Sequence, residues 1–518
     1  MFTHYILVIF CLEVDMRKRK QKKQALLPLK VDELEKIVKR QFASTTGTFP
    51  DLVFNSYVIQ NEKVAVFYLS NLINSDKLEN SILEPLLSSK KPWTNEDLLN
   101  EIPIGESNTA NTLEDINTKI ILGEVFIYVE QEEVILAYSL IKKEKRSLEK
   151  AETESLVLGP KIAFTESIIT NINIVRWRIR SPELVIEEFT VGGTVPRDVR
   201  VVYMKSIANQ EDVNTVKQRI RDLDVDEIED SIVLKQYMED DQFNLFPQLE
   251  ITELPDKFSY GITKGKVGVL VENSPSGIIA PANLFSFLES TEDLYMRWQA
   301  GSFLRILRFI AMFFSIIITP IYVAIVSFQY DVIPTKLLIT VGQSRANVPF
   351  SPILEALLLE FLIELLREAG ARLPTKVGQT MGIVGGIVIG QAAVAAGITS
   401  NILLIVVSMS ALASFTTPSY LLGTTIRIIR MPLIILAGSF GLFGLMWALC
   451  FLIIHLLKLT SLGRPFLTPL YPLRLQDFNK VFYRLPVDYT AKRMEAYRPK
   501  KLKRFSKKEA TKKRDIEK

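Results

Sequence analysis

Residues 309–328 read FIAMFFSIIITPIYVAIVSF, twenty consecutive residues without a charged side chain. An α-helix needs about 20 apolar residues to cross the hydrocarbon core of a bilayer. Pro320 is tolerated in such a helix because neighbouring helices can satisfy the backbone groups that it frees. The segment therefore predicts a transmembrane helix, which separates a soluble N-terminal region from a membrane domain.

Three further apolar segments follow the first one, at 381–398, 402–415 and 432–457. Together the segments predict a membrane domain at 291–460 with about four spanning helices, so that both chain ends lie on one side. Residues 492–518 contain thirteen Lys and Arg against four Asp and Glu. By the positive-inside rule, this basic segment marks that side as cytoplasmic. The shorter segments 353–368 and 421–430 are then expected to be amphipathic interfacial or re-entrant helices.

The region before residue 291 alternates β-rich runs with helical patterns, which indicates α/β subdomains. The boundaries predict one subdomain at 41–150, with β-rich runs at 51–59, 63–70 and 123–130, and a second at 151–290. A charged linker at 142–154 joins them. Residues 1–40 form a basic N-terminal segment, of which 1–15 are interpreted as a start-site artefact, and 461–518 form a basic cytoplasmic tail. A solvated, disordered tail is the alternative interpretation of the same charges, and both can hold. The expected fold is therefore mixed: two α/β subdomains followed by an all-α membrane domain.

The sequence NINIVRWRIR at 171–180 alternates apolar and polar residues, which is typical of a half-buried strand. Successive side chains of a strand point to opposite faces. Arg176, Arg178 and Arg180 would then share one face. We favour a solvated strand face over an anion-binding or partner-binding patch.

Composition argues against several classes of function. The chain has only two cysteines, Cys11 and Cys450, and two histidines, His4 and His455. These are too few for a disulfide framework or a Cys-rich metal site. The sequence contains no phosphate-binding loop, no nucleophile elbow and no zinc-protease motif. We therefore expect no enzymatic activity, no metal or other cofactor, and no binding of nucleic acid.

The helix expected at 353–368 carries several acids in the most apolar part of the chain. On a helical wheel, Glu360, Glu364 and Glu368 share one side with Arg367, and Glu355 lies at its edge. One interpretation is an interfacial helix whose polar face lies in water. The other is an acidic ring near a channel mouth, which would concentrate cations once the subunit repeats around an axis. The sequence leaves both interpretations open.

The segment 381–398 is rich in small residues. Gly382, Gly386 and Gly390 recur every four residues, and Gly397 continues this face, a pattern that favours close helix packing in lipid. Gln391 is the one polar side chain between Met381 and Ile398. We predict that Gln391, with Glu360 and Glu364, lines an ion path. The alternative is that Gln391 forms a hydrogen bond with another helix of the same subunit.

Four stretches carry a resemblance to a known family. They are GPKIAFTESIITNINIVRWRI (159–179), SPSGIIAPANLFSFLESTEDLYMRW (274–298), PFSPILEALLLEFLIELLREAGARLP (349–374) and GQTMGIVGGIVIGQAAVAAG (378–397). In this order they resemble the A subunits of the GerA family of spore germination receptors. Leu158 and Ser276 depart from the family's usual Arg and Phe. The resemblance covers roughly residues 155–450, and residues 16–150 agree only in general layout.

The resemblance implies a multi-pass protein of the endospore inner membrane, with its N-terminal domains and C-terminal tail on the spore-core side. It implies a nutrient receptor that contains a transporter-like B subunit and a lipoprotein C subunit. It further implies a homo-oligomer, in contact with membrane lipid, that forms or gates a monovalent cation path. The alternatives are a secondary transporter, whose internal repeats we do not find, and a non-conducting scaffold subunit.

Overall fold

The computed structural model describes residues 30–42, 51–89, 91–102, 107–130, 134–140, 158–373, 390–486 and 489–506, with a few single positions between these ranges. The interpreted start-site artefact at 1–15, most of the linker at 142–154, and Gly382 lie outside the described residues. The described chain forms two α/β units, a helical bundle, and a C-terminal segment that returns to the second unit.

The first unit is a five-stranded antiparallel sheet with helices on both faces. Its spatial strand order is β1-β2-β4-β5-β3, with the strands β1 (Leu52–Ile59), β2 (Glu62–Leu69), β3 (Ser107–Ala110), β4 (Glu124–Val129) and β5 (Ile135–Ser139). The β-rich runs of the sequence correspond to β1, β2 and β4. Its helices are α1 (Val31–Phe42), α2 (Ser75–Leu78), α3 (Glu84–Ser88), α4 (Asn95–Glu101) and α5 (Leu113–Ile120), with a π-helical turn at Glu79–Leu83 and a 3₁₀ turn at Ser70–Leu72.

Alternation along the central strands explains the two covered faces of this sheet. Phe67 of β2 packs on the side of α1 and α5, whereas Val64 and Val66 pack on the side of α2 to α4. All six residues of β4 are buried. A strand that is buried on both faces has a near-continuous apolar sequence, as β4 does from Val125 to Val129.

The second unit repeats this layered plan. Its antiparallel sheet has the order β6-β7-β9-β10-β8, with the strands β6 (Leu184–Val191), β7 (Arg197–Met204), β8 (Glu250–Thr252), β9 (Val267–Val271) and β10 (Gly277–Ala280). Its helices are α6 (Ile168–Arg178), α7 (Gln210–Arg221), α8 (Ser231–Met238) and α9 (Pro255–Lys264). Helices α6 and α9 pack on one face of the sheet, and α7 and α8 pack on the other.

The prediction of a strand at 171–180 is wrong, because these residues lie mainly in helix α6. The Ser167 side chain caps this helix by accepting a hydrogen bond from the Thr170 N–H. Every residue from Asn171 to Arg176 is buried. The helix is therefore covered on several sides, and its sequence lacks the single apolar stripe that marks a surface helix. Arg176 and Arg178 form ion pairs with Asp51 and Asp256, so they are not a solvated strand face.

The C-terminal region is helical. Its helices are α10 (Glu292–Tyr295), α11 (Trp298–Ser327), α12 (Thr335–Arg345), α13 (Pro352–Arg372), α14 (Asn401–Ser414) and α15 (Tyr420–Lys458), with 3₁₀ turns at Leu284–Phe287 and Tyr330–Val332. Within the described residues, α11 and α15 are the two helices long and apolar enough to cross a membrane. Helix α14, from the segment predicted at 402–415, has 14 residues. Much of the span expected at 381–398 lies outside the described residues, so four spans stay a prediction.

Helix α15 is a hairpin of two helical arms that meet at Gly441. Gly441 has φ +64° and ψ −150°, which breaks the helix. The Thr425 hydroxyl, near the start of the first arm, donates to the Leu245 carbonyl over 2.8 Å. His455, near the end of the second arm, lies 3.2 Å from the Asn244 side-chain oxygen. Because neighbouring residues contact both ends, the second arm runs back along the first; a straight helix would separate these ends by about 45 Å.

This hairpin corrects two expectations. Residues 421–430 belong to the first arm and are not a separate interfacial helix, and the apolar segment 432–457 is divided between the two arms. The backbone conformation of Gly441 is essentially restricted to glycine. A Cβ atom there would also lie 2.7 Å from the Gln329 side chain, just beyond α11. A glycine inside an apolar run is therefore the feature that permits the reversal.

The described part of the C-terminal segment is folded against the second unit and is not a solvated tail. It contains β11 (Thr460–Ser461), β12 (Arg464–Pro465), α16 (Leu475–Phe482) and a 3₁₀ turn at Glu495–Tyr497. The Arg464 guanidinium donates to the buried Asp212 carboxylate over 2.7 Å. The Lys500 backbone N–H donates to the Ile207 carbonyl over 2.8 Å. The end of the chain thus completes the surface of the second unit.

Candidate functional site

A buried ion pair lies at the centre of the helical bundle. Arg430 on the first arm of α15 and Glu360 on α13 are 2.7 Å apart, and their side chains are 2% and 1% exposed. The Thr319 hydroxyl of α11 donates to Glu360 over 3.4 Å. Arg430 also donates to the Ser410 hydroxyl of α14, which donates to the Ser315 carbonyl of α11. Side chains from α11, α13, α14 and α15 therefore meet at one polar point inside an apolar bundle.

Such a pair is costly to break. Taking two charges out of water is unfavourable, and removing one partner from a buried pair costs about 3–5 kcal/mol, since the other charge is left uncompensated. The network fixes the register of four helices, because each polar group has its partner at one height only. We therefore treat it as the core of the candidate site.

A second, more exposed layer continues the network along α13. Glu364 lies 2.8 Å from Arg367 and 3.4 Å from Arg427. The guanidinium of Arg367 stacks over the Phe415 ring with 4.7 Å to its centroid. The Glu364 side chain is 45% exposed, whereas Arg427 is largely buried. The two layers together contain three arginines and two glutamates, so their summed charge is positive.

Each of the four acids of α13 has an arginine beside it. Besides the pairs already described, Glu355 lies 3.0 Å from Arg345, and Glu368 lies 2.5 Å from Arg372. The Ser400 backbone N–H also donates to Glu355. Glu355 and Glu360 are fully buried, so the expectation of a helix whose whole acidic face lies in water is wrong. Arginines from α12 and α15 neutralise these carboxylates inside the protein.

The residues of the small-residue segment are placed differently from one another. Gln391 and Gly386 are exposed in the single chain, and a Cβ at Gly386 would meet nothing within 4 Å. Gly390 faces Leu404 of α14, whose side chain would lie 3.6 Å from a Cβ atom at position 390. Residues 390–395 are helical, and Gly397 follows them with φ +69°, while the Ile398 N–H donates to the Ala393 carbonyl. This left-handed glycine is a C-terminal helix cap, so Gly397 does not continue the helical packing face.

A third cluster joins the second unit to the start of α11. Glu250 lies 3.1 Å from both Lys257 and Lys266, and Lys264 lies 2.7 Å from Glu289. Burial opposes ionisation of the Glu289 carboxyl, but the charges of Lys264 and Arg305 outweigh it and lower its pKa to about 2. Burial likewise opposes the charge of Lys264, yet the Glu289 carboxylate raises the pKa of this ammonium. The cluster is a set of satisfied ion pairs.

The first turns of α11 are fixed by another buried carboxylate. Asp293 has a fully buried side chain that lies 2.8 Å from Arg308 and 3.4 Å from Arg305. Arg305 also donates to the Lys480 carbonyl of α16 over 2.8 Å. Helix α11 therefore leaves the second unit in a direction fixed by charged hydrogen bonds to both the preceding helix α10 and the C-terminal segment.

Three residues of the central network, Arg430, Ser410 and Thr319, were not predicted from the sequence. A signal was available, since Arg427 and Arg430 lie beside a long apolar run and ionisable residues inside a membrane normally face a partner. The glutamates of α13 also lie in an apolar sequence and require cationic partners, so the same argument predicts that they pair with these arginines. Which glutamate meets which arginine depends on the helix packing, which no local pattern contains.

Two α/β units followed by an apolar bundle with internal ion pairs and two helices long enough to cross a membrane indicate a membrane-associated protein. Residues 38–496 match the family model described as Bacillus/Clostridium GerA spore germination protein. The chain therefore belongs to the GerA family of spore germination proteins.

Similar proteins cover nearly the whole chain. It is 40% identical to spore germination protein GerQA of Bacillus cereus, over 89% of this chain and 93% of the relative. It is 36% identical to spore germination protein A1 of Bacillus subtilis strain 168, over 84% of this chain and 91% of the relative. A further relative, 32% identical over 84% of this chain and 86% of its own length, is the B. subtilis membrane protein YfkQ.

A solved structure also resembles the chain. It is the N-terminal domain of the A subunit of the Bacillus megaterium spore germinant receptor GerK3, which is 24% identical. The match covers 50% of this chain and 98% of that domain, with a TM-score of 0.39.

Proposed function

We propose that this chain is the A subunit of a nutrient germinant receptor, and that it oligomerises to form or gate a monovalent cation path. The observation that carries the proposal is family membership over residues 38–496, combined with an apolar helical bundle that contains buried charge. Its partners in the proposal are a transporter-like B subunit, a lipoprotein C subunit and further copies of itself. The proposal includes no catalytic step, metal or cofactor.

The proposed location is the inner membrane of the endospore, with the α/β units and the C-terminal segment on the spore-core side. The helical hairpin supports this topology, since both of its ends contact residues 244 and 245 of the second unit. The C-terminal segment then packs on the same unit through Arg464 and Asp212. An even number of crossings satisfies these contacts.

We propose that the ion path runs between subunits and not through the interior of one bundle. The interior network has more arginines than glutamates, which is unfavourable for a cation. Glu364 and Gln391 are exposed in the single chain and can face a central axis. Glu360 is buried against Arg430, so in this proposal it supports the wall of the path and does not touch the ion.

Ion flux from liposomes tests the proposal. The chain is reconstituted in potassium-loaded vesicles, either alone or together with its B and C subunits. We expect the vesicles that contain the full receptor to release potassium in response to the cognate nutrient. Glu364→Gln should slow release, and more so at low salt, since exposed charges are screened at high salt. Gln391→Leu should alter release without lowering the protein level.

The outcomes separate conduction from scaffolding. No flux from the full receptor, with normal assembly, would contradict the ion path and leave a non-conducting scaffold subunit. A parallel fall of protein level and activity in Gln391→Leu would show that this residue acts in packing. Arg372→Gln, which alters an exposed pair on the same helix, is the matched control for surface charge.

A further inference from the structure

A loop of the second unit exposes a large aromatic side chain. Phe243 lies between α8 and β8 and is fully exposed, at 101% of its reference area, more than any other large apolar side chain among the described residues. Leu245 in the same loop is 42% exposed. Hydrogen bonds within the loop nevertheless hold its backbone. The Phe246 N–H donates to the Asn244 side chain, the Asn244 N–H to the Asp241 carbonyl, and the Phe243 N–H to the Asp241 carboxylate. The Gln248 side chain accepts from the Asp240 N–H. These bonds fix the backbone of the loop from which the Phe243 side chain projects.

The neighbours of Phe243 fix its position relative to the apolar hairpin. Asn244 contacts His455, and the Leu245 carbonyl accepts from Thr425, so the loop touches the ends of both arms of α15. Phe246 packs against the His455 ring with 6.1 Å between centroids. Next to His455, Ile453 and Ile454 are 54% and 50% exposed. The outward apolar surface of the hairpin therefore reaches the level of the loop.

A second exposed apolar segment lies nearby. Phe246 also packs against Phe466, with 6.3 Å between ring centroids. Shortly after Phe466 come Leu470, Tyr471, Leu473 and Leu475, which are 43%, 54%, 64% and 72% exposed. We define the apolar collar as these four residues together with Phe243 and Leu245. Soluble surfaces seldom expose a contiguous apolar patch without a partner that covers it.

The surroundings of the collar favour lipid as its partner. The collar lies beside the hairpin, because Asn244 and Leu245 contact His455 and Thr425, and the exposed Ile453 and Ile454 directly precede His455. Lys458 is exposed at the end of the second arm, and Arg474 lies within the collar segment. In the 470–475 segment, apolar and aromatic side chains beside a basic residue are typical of segments that lie in the membrane interface, whereas acidic residues precede Phe243 in its loop.

We propose that the apolar collar inserts into the interfacial region of the bilayer and holds the second unit against the membrane surface. This inference rests on the proposed membrane placement of α15. Its consequence is that the second unit meets the lipid directly, through its own loop and the C-terminal segment, in addition to its covalent link through α11 and its packing on the helical bundle.

Site-directed spin labelling of the full chain in nanodiscs with anionic lipid tests the proposal. A cysteine-free background (Cys11→Ser, Cys450→Ala) receives one nitroxide at a time, through Phe243→Cys or Leu473→Cys. Val58→Cys, in the first unit and 71% exposed, is the control for a label in water. Phe443→Cys, on the hairpin and 67% exposed, is the control for a label in lipid. Collision rates with oxygen and with a water-soluble nickel chelate are compared.

We expect the ratio of oxygen to nickel collisions at positions 243 and 473 to rise several-fold above that at position 58. A ratio at 243 equal to that at 58, with a lipid-like ratio at 443, would overturn the collar and leave the membrane placement intact. A water-like ratio at 443 would overturn both. Spin–spin broadening at 243 without lipid-like collisions would also overturn the inference, since it would assign the collar to a second copy of the chain.

Discussion

At the scale of single residues, the helical bundle resolves the problem of acids in an apolar sequence by pairing. Glu355 and Glu360 are fully buried, and each has an arginine from another helix beside it. Coulomb attraction between such groups is strong where water is excluded, but it compensates the loss of hydration only when both partners are present. The pairs therefore make the position of each helix depend on its neighbours.

Replacing Arg430 by leucine should destabilise the protein strongly. The change leaves the Glu360 carboxylate buried beside Thr319 without a cation, at a cost of about 3–5 kcal/mol. The double variant Glu360→Leu/Arg430→Leu should recover most of that loss, since it removes both buried charges. Thermal unfolding in detergent and the amount of protein in the membrane measure the effect.

Arg372→Leu is the control for this prediction. Its partner is Glu368, and the two side chains are 79% and 58% exposed. Exposed pairs contribute at most about 1 kcal/mol, so little change is expected. If Arg430→Leu were no more destabilising than Arg372→Leu, or if the double variant were the least stable of all, the structural role given to the Glu360–Arg430 pair would be wrong.

The Glu289–Lys264 pair should make stability depend on pH in the acid range. The folded pKa of Glu289 is lowered to about 2, so its contribution is present above the ordinary carboxyl pKa and is lost as pH falls toward 2. Glu289→Gln should therefore be less stable than the wild type at neutral pH. The difference should shrink as pH falls from about 4.5 toward 2.

Unfolding midpoints across this pH range measure the difference between the two proteins. Glu211→Gln is the control, because the Glu211 side chain is 77% exposed. It should follow the wild type at every pH. A gap between wild type and Glu289→Gln that stays constant down to pH 2 would contradict the assignment of the lowered pKa to this ion pair.

The sequence predicted part of this residue-scale picture. It located the acids of α13 and separated them from the leucines of the same helix, because helical periodicity is a local property. It did not predict that Glu360 is buried, since the cation that permits burial is seventy positions away, at Arg430. The pore-lining roles of Glu364 and Gln391 stay predictions, because they concern contacts between subunits.

At the scale of elements, the hairpin in α15 shows how one residue can set topology. The run from Tyr420 to Lys458 is apolar enough to be interpreted as an interfacial helix followed by one span. Gly441 instead reverses it, so that two antiparallel arms pack together and return the chain to its starting side. Length and hydropathy do not contain this information; the glycine and its close approach to Gln329 do.

Gly441→Ala should therefore destabilise the bundle. Alanine at this position would have to adopt the backbone conformation of Gly441, which costs a non-glycine residue on the order of 1–3 kcal/mol. Its Cβ would also lie 2.7 Å from the Gln329 amide. The matched control is Gly342→Ala in α12, where a Cβ would meet nothing within 4 Å. The control should be neutral or more stable by up to about 1 kcal/mol, since alanine favours helix.

Thermal unfolding of the two glycine variants decides the matter. Equal midpoints for Gly441→Ala and Gly342→Ala would mean that the reversal at position 441 does not require glycine. Cysteine pairs at positions 425 and 455 offer a second readout, since both lie next to the loop at 244–245. Their crosslinking in wild type and its loss in Gly441→Ala would link the stability change to the hairpin itself.

Helix α6 illustrates the opposite error at this scale. Its sequence alternates as a strand does, but Asn171, Asn173 and Arg176 are buried and hydrogen-bonded. A polar side chain whose hydrogen bonds are all made inside the protein can be buried. A prediction that assigns every polar residue to the surface is therefore wrong for such a side chain. The strands β1, β2 and β4 were predicted correctly, because they are rich in β-branched and aromatic residues, which favour strands, and in β2 and β4 most of these residues face the core.

At the scale of the whole molecule, the two units differ in how they are joined to the rest of the chain. The first unit makes few contacts with the second, whereas the second shares a hydrophobic core with the helical bundle. The first unit has its own hydrophobic clusters. It meets the second through α6, where Arg176 pairs with Asp51 and Asn173 donates to the Asn71 carbonyl over 2.8 Å. By contrast, Phe285 and Phe287 pack in the same cluster as residues of α11 and α15.

Removing the first unit alone should leave the rest of the protein folded. A chain that lacks residues 30–140 and carries Arg176→Ser, so that no unpaired charge stays buried, should reach the membrane in normal amounts. We expect it to fail in the nutrient response, because we propose here that the first unit acts in assembly and signal coupling. Germination assays and protein levels in spores are the measurements.

A chain without residues 30–290 is the comparison. It also loses Phe285 and Phe287, which pack on the helical bundle, so its level in the membrane should fall. If both deletions reduced the protein level equally, it would be wrong that the first unit is separable and that only the second is required for the stability of the bundle. A normal nutrient response after deletion of 30–140 would remove the coupling role of the first unit.

The returning C-terminal segment has a consequence for how the protein is made. Asp212 emerges from the ribosome long before its partner Arg464, which lies 252 positions later. Ile207 is synthesised even longer before Lys500, whose N–H donates to the Ile207 carbonyl. Burial raises the pKa of Asp212, and the Arg464 charge offsets this only in part. The second unit is therefore incomplete until translation has passed the whole membrane bundle. Premature termination before residue 464 would leave the buried Asp212 carboxylate without its arginine and would expose the surface that the C-terminal segment covers.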